Sequence, residues 1–249
     1  MIKKLSSLFL VLCMCTALHA TIQPQLEQSD RLYNSRDTIG NLEQALNILN
    51  AALSKANTPD EKHDCYWRIA QASHAVEDYT DKTKKEKLAL LTKGIEAGVE
   101  AERIKPDNIT GIYWHGIVIG KEAELKGIMK SLKSVKPIRK KMEKILSLDP
   151  DYARAYFVLS RLFRKAPKMI SIGNPKQSLI YINKALSYDS NESLYLLEKA
   201  EVLIKLKKHK DAIPVLNTLI SLPYNPIYFK DTVLKNQKEG QALLNKVQH

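Results

Sequence analysis

The run Asp149-Pro150-Asp151-Tyr152-Ala153-Arg154-Ala155-Tyr156-Phe157-Val158-Leu159 constrains this chain more than any other. A proline stops one helix, and small and aromatic residues at helical spacing open the next. Similar breaks stand at Pro59, Pro106, Ser190 and Pro223. Between them, apolar residues recur at spacings of three and four, the mark of amphipathic helices. Period-two runs of Val, Ile and Thr are missing, and nine glycines are too few for the Gly-rich turns of an all-β fold. The chain therefore reads as stacked helical hairpins.

The period is close to 34 residues where it is cleanest, the length of a tetratricopeptide repeat. Such a unit pairs two antiparallel helices and needs small residues where their axes approach. The last unit starts near Ser193 with Leu196, Ala200 and Leu203, continues with Ala212, Leu216 and Leu219, and ends at Pro223. The unit before it carries Tyr156, Leu159, Ser160 and Phe163, then an insertion from about Arg164 to Pro175, then Ser178, Ile182 and Ala185. A third unit has Ile112, Gly116 and Ile119, a long connection around Lys121 to Lys136, and Ile138, Met142 and Ile145. A second has Trp67, Ala70 and His74, then Gly94, Gly98 and Ala101. The first has Leu26, Asp30 and Tyr33, then Ala45, Leu49 and Ala52. The expected fold is an all-α, tetratricopeptide-type superhelix of about five degenerate repeats over residues 21–228, with one continuous core. A capping helix is expected over 229–249, with Lys235, Lys238 and Lys246 on one side and Val233, Leu243 and Leu244 on the other.

Residues 1–20 read as a cleaved secretory signal. Lys3 and Lys4 precede a mostly apolar stretch from Leu5 to Leu18, and Leu18-His19-Ala20 offers a cleavage site. Cys13 and Cys15 follow Leu12 and Met14 rather than small residues, which disfavours a lipoprotein. Cleavage would leave Cys65 alone, so the mature chain has no intrachain disulfide. Export without disulfides fits a periplasmic or secreted protein. The formal net charge is +12, carried by Lys far more than by Arg. With an export signal, that charge points away from nucleic acid and toward anionic lipid headgroups at a membrane surface.

Tyr113-Trp114-His115-Gly116 with Gly120-Lys121 resembles the third unit of the T-component proteins of TRAP transporters. The resemblance continues through Asp149-Pro150-Asp151-Tyr152, Leu159-Ser160-Arg161-Leu162-Phe163, Ala166-Pro167, Gly173-Asn174-Pro175 and Ala185-Leu186. The regulator-of-microtubule-dynamics proteins share a similar helical pattern. The likeness covers roughly residues 85 to 222, and Ser160 stands where the family has a glycine. It implies a periplasmic scaffold associated with a tripartite uptake system, whose partner is the transporter's substrate-binding protein.

No catalytic constellation is legible. His63, His74, His115 and His209 form no HExxH, and there is no Gly-rich phosphate loop or GxSxG. Cys65 reads as a buried thiol, and Glu122 and Glu124 as a solvated face. The chain is expected to be no enzyme and to need no cofactor or metal. The arginines carry the binding hypothesis instead. Arg31 and Arg68 fall on inward positions of the first two units, and Arg154, Arg161 and Arg164 on those of the fourth. Arg offers a planar fork of donors suited to carboxylate or phosphate. Tyr113, Trp114 and Phe157 lie on or beside the same face. The expected function is a non-catalytic protein-binding scaffold of the cell envelope. The alternative is a binder of a small anionic or amphipathic ligand in the same basic groove. Arginine stems packed on neighbours and paired with acids of the next helix, such as Glu201, would be the purely structural outcome.

Overall fold

Several helices begin at a side-chain cap. At Thr58 the Glu61 amide donates to the threonine hydroxyl, while the Thr58 amide donates to the Glu61 carboxylate. Thr83 and Glu86 repeat this reciprocal cap. Asn108 accepts from the Gly111 amide, and Asn174 from the amides of Lys176 and Gln177. Each cap satisfies donors that a helix start would otherwise leave unpaired. The computed structural model describes residues 21–248 except 168–170, so the leader expected over 1–20, with Cys13 and Cys15, lies outside the described residues.

Among the described residues there are eleven helices and no strand. They pair as α1 (Gln23–Asn34) with α2 (Asn41–Leu53), α3 (Pro59–Tyr79) with α4 (Lys84–Ile104), and α5 (Ile109–Lys126) with α6 (Ile128–Leu148). Then follow α7 (Ala153–Lys165) with α8 (Pro175–Tyr188), α9 (Ser193–Lys205) with α10 (His209–Ser221), and α11 (Lys230–Gln248). First helices pack together at three junctions, α1 on α3, α3 on α5 and α7 on α9, and α9 also packs on α11; the third and fourth hairpins meet instead through α6 on α7, while the second helices stay apart. The stack therefore curves, with α1, α3, α5, α7, α9 and α11 along its inner side. This is the expected all-α solenoid of five hairpins.

The expected long connection over 121–136 is corrected. Helix α5 runs to Lys126, one residue turns the chain, and α6 starts at Ile128. Gly127 makes this possible at φ +104°, a conformation that a side chain would oppose. The Lys-, Glu- and Ala-containing stretch before it favours helix, and α6 runs through Pro137. Helices α3 to α6 are consequently 18 to 21 residues long, against 13 or 14 for α7 to α10.

Small residues mark the closest approaches. A methyl group on Gly98 would sit 2.7 Å from Cβ of His115, and one on Gly94 would sit 2.5 Å from Cβ of Ser73. The apolar core forms consecutive clusters along the stack. Trp114 packs against both the cluster of the first hairpins and the middle one, and Leu179 and Leu186 link the middle to the last.

The two ends of the array meet. Arg36, 6% exposed, sits between the rings of Tyr33, Tyr79 and Phe229, with its Cζ 3.7 Å from the Phe229 centroid. Its guanidinium donates to Asp231 at 3.4 Å and to Thr232 at 3.2 Å. The Tyr79 hydroxyl also donates to Asp231, and Lys235 pairs with Asp78 at 3.1 Å. The start of α11 thus fastens the first two hairpins to the last.

Candidate functional site

The inner side gathers aromatic rings beneath two arginines. Tyr113 lies edge-on to Trp114 at 5.1 Å and to Tyr152 at 5.7 Å between ring centroids. Phe157 lies 5.3 Å from Tyr195. Arg154 is 6.0 Å above the Tyr113 ring, and Arg161 is 5.7 Å above that of Phe157. Helices α5, α7 and α9 supply these groups, apart from Tyr152 at the cap of α7, so three successive hairpins each contribute one strip of the surface. Trp114 is half-buried and bridges two parts of the core, which makes it packing first.

The five sequence-selected arginines separate into different environments. Arg68 forks onto Asp30 of α1 at 2.8 and 3.0 Å and covers Trp67 at 4.1 Å. Arg164 forks onto Glu198 of α9 at 2.9 and 2.7 Å and reaches Glu201 at 2.7 Å. Both therefore hold one first helix against the next, and Glu201 is among the partners that the structural outcome named. Arg161 has only a loose 3.8 Å contact with Glu124, which pairs more closely with Lys165 at 2.7 Å. Arg154 is exposed and has no ion pair among the described residues. Arg31 is exposed near the end of α1, apart from the aromatic group. Arg154 and Arg161, with Tyr113 and Phe157, are the sequence-selected residues that the fold brings together with their donors largely uncommitted.

Sequence reasoning does not single out three neighbours. Tyr195 belongs to the next unit, and only the superhelical curvature brings it to Phe157. His74 faces Trp114 at 5.9 Å and keeps a buried Nδ1 without a partner. Burial, aided by the positive charges of Lys121, Arg161 and Arg36, outweighs Asp78 and holds its pKa down at about 4. Arg36 lies in a turn outside the repeat pattern, and its partners are 195 and 196 residues away along the chain. Nothing in a unit-by-unit pattern signals that contact.

Two groups with potential reactivity are held in their protonated forms. Burial pushes the Tyr113 hydroxyl well above its usual range, so it stays protonated and cannot act as a base near neutral pH. Cys65 is fully buried, and burial raises its thiol to about 11, so the reactive thiolate is not formed. Among the described residues, no group of His, Cys, Asp and Glu could hold a metal ion. Two clefts lie away from the arginine-aromatic group. One of about 430 Å³ lies between α2, α3 and α4 beside Glu43, Ser73 and Lys82, and one of about 320 Å³ lies where Asn34 and Asp37 meet Tyr224 to Asp231.

The model of the family described as regulator of microtubule dynamics protein 1-3 matches residues 25–248. The chain belongs to that family. A regulator of microtubule dynamics protein 1 from Caenorhabditis elegans is 27% identical over 212 residues, covering 78% of this chain and 88% of the relative. A mouse regulator of microtubule dynamics protein 1 is 23% identical over 217 residues, covering 80% and 68%. Against the bovine regulator of microtubule dynamics protein 3, at 26% identity, the alignment spans 56% of this chain and only 28% of the relative. Among solved structures, a thermophilic TPR protein of Thermus thermophilus superposes with a TM-score of 0.65 at 13% identity, over 90% of this chain and 98% of that one. The pilF protein of Pseudomonas aeruginosa gives 0.56 at 17% identity, over 92% and 87%. At these identities the structural likeness establishes the tetratricopeptide fold alone.

Proposed function

We propose that this member of the regulator of microtubule dynamics family is a non-catalytic scaffold that binds a protein partner along its inner side. The observation that carries this reading is the pair Arg154 and Arg161 above Tyr113 and Phe157. Both guanidiniums are largely free of close carboxylates, while Arg68 and Arg164 of the same chain are fully engaged. A fork of donors over an aromatic floor suits a segment carrying a carboxylate next to an apolar residue. Hairpins that already hold their neighbours by ion pairs preform such a surface, which limits the ordering cost of binding.

The relatives' names suggest one candidate class of partner, the proteins of the microtubule system. The TRAP-like resemblance gives another, a transporter's substrate-binding protein, and this second class draws no support from the comparisons. An anionic or amphipathic small ligand on the same two arginines is the alternative use of the groove. Crosslinking capture with the full chain and with an Arg154→Glu/Arg161→Glu variant separates these outcomes. The wild type is expected to retain a protein partner that the variant loses, with both showing the same thermal melt. Equal capture by both would remove the inner arginines from the binding surface. A small anion seen by native mass spectrometry, with no protein captured, would favour the ligand alternative. N-terminal sequencing of the native protein tests the leader: a start at Thr21 supports export, and an uncleaved Met1 contradicts it.

A further inference from the structure

The helix of highest net charge plays no part in the inner side. Helix α6 carries seven basic residues against the single acid Glu143. Some of that charge is neutralised locally. Lys141 pairs with Glu102 at 2.6 Å, Lys144 with Asp107 at 2.9 Å, and Arg139 with Glu143 at 2.7 Å. Lys130, Lys133, Lys136 and Lys140 have no acidic partner among the described residues, and all four are exposed. Met129, Lys133, Lys136 and Lys140 recur at helical spacing, so they form one stripe about 16 Å long.

An apolar tip heads the stripe. Ile128 is 73% exposed and Met129 67%, two large side chains held in water side by side just after the Gly127 turn. No other second helix shares this combination. Helix α2 has Glu43 as its only charge, α4 mixes both signs, α8 has two lysines, and α10 sets Lys210 beside Asp211. Helix α6 is also a second helix, so its exposed stripe lies apart from the contacts between first helices.

We infer that the α6 stripe docks the protein on an anionic lipid bilayer, with Ile128 and Met129 entering the interface and Lys130, Lys133, Lys136 and Lys140 lying at headgroup depth. Charge complementarity selects a negatively charged surface, and the apolar tip selects lipid over an acidic polypeptide, which has no interior for it to enter. The use of Lys fits as well. A long stem with a point charge suits diffuse headgroups and can lie along the interface, whereas a fork suited to one fixed carboxylate is absent from the stripe. The docking is peripheral: among the described residues, no helix is long and apolar enough to cross a membrane. It leaves the inner side free for a partner.

The test is flotation of the full chain with vesicles of equal parts phosphatidylserine and phosphatidylcholine, beside pure phosphatidylcholine vesicles, at low and high salt. The wild type should float with the anionic vesicles at low salt and be released by high salt. Lys133→Glu/Lys136→Glu/Lys140→Glu should lower the apparent affinity at least tenfold, and Ile128→Ser/Met129→Ser several-fold. Lys176→Glu/Lys184→Glu on α8 should change little. Circular dichroism melts of each variant, with Lys→Gln versions of the stripe as a milder pair, separate lost docking from lost folding. Failure to float with anionic vesicles, or equal flotation by the charge-reversed stripe, would overturn the inference. So would stripe-dependent capture of poly-glutamate without vesicle binding, which would assign α6 to an acidic polypeptide.

Discussion

Arginines that look alike in the repeat pattern differ most at the level of single contacts. Arg161 and Arg164 lie one turn apart on α7, yet Arg164 is locked against Glu198, which is only 2% exposed, and Arg161 is half-exposed with a loose partner. Removing one member of a buried pair leaves the other charge uncompensated. Arg164→Ala is therefore expected to cost about 3–5 kcal/mol in urea unfolding, and Arg161→Ala less than about 1 kcal/mol. Similar values for both would contradict the assignment. The departure at Ser160 belongs to the same network. Its hydroxyl lies 2.8 Å from that of Ser178 and donates to Glu198 at 3.1 Å, which adds to the two Arg164 hydrogen bonds a donor that a glycine could not supply. His74 makes the pH dependence. Its pKa is about 4 in the folded chain against about 6.5 when unfolded, so the unfolded state takes up the proton first as pH falls. Thermal stability should hold above that unfolded value and decline between about 6.5 and 4. His74→Gln should flatten the upper part of this decline, where the lowered carboxyl groups of Asp78, Glu102 and Glu124 do not yet titrate.

Helices and their pairing are largely legible in the sequence because small residues and breaks are local signals. Gly98 is the clearest case: the pattern marks it as a crossing point, and Cα and Cβ of His115 crowd the place of its missing side chain. Gly98→Ala is expected to cost about 1–3 kcal/mol by overpacking. Gly120→Ala, whose methyl group would meet only the tip of Ile138 at 3.4 Å, should be neutral or slightly stabilising. Chemical denaturation of the two variants side by side checks the contrast. The connection after Lys121 is hard to read because lysines and a proline look like loop punctuation. One glycine with positive φ is enough to turn the chain, and the polar residues around it belong to helix faces in solvent. Which of the inward arginines stay free is not legible, because each depends on an acid about one repeat away in the chain.

The whole molecule carries information that no unit contains. Its ends are joined through Arg36, Phe229 and Asp231, so the inner side is bounded at the seam as well as along the stack. Arg36→Ala should lower stability by about 2–3 kcal/mol, from lost ring contacts and a charge-assisted hydrogen bond. Hydrogen exchange should quicken at the start of α11 and the end of α3 while the amides of α7 and α8 keep their protection. Uniform loss of protection would mean that the seam is part of one global unit. The proposed inner surface is best probed by arginine footprinting. The full chain, alone and crosslinked to its captured partner, is treated with phenylglyoxal and read by mass spectrometry. Arg154 and Arg161 should be protected only in the complex, while Arg31 and Arg139 stay reactive in both. Unchanged labelling of Arg154 and Arg161 with the partner bound would contradict the inner-side scaffold.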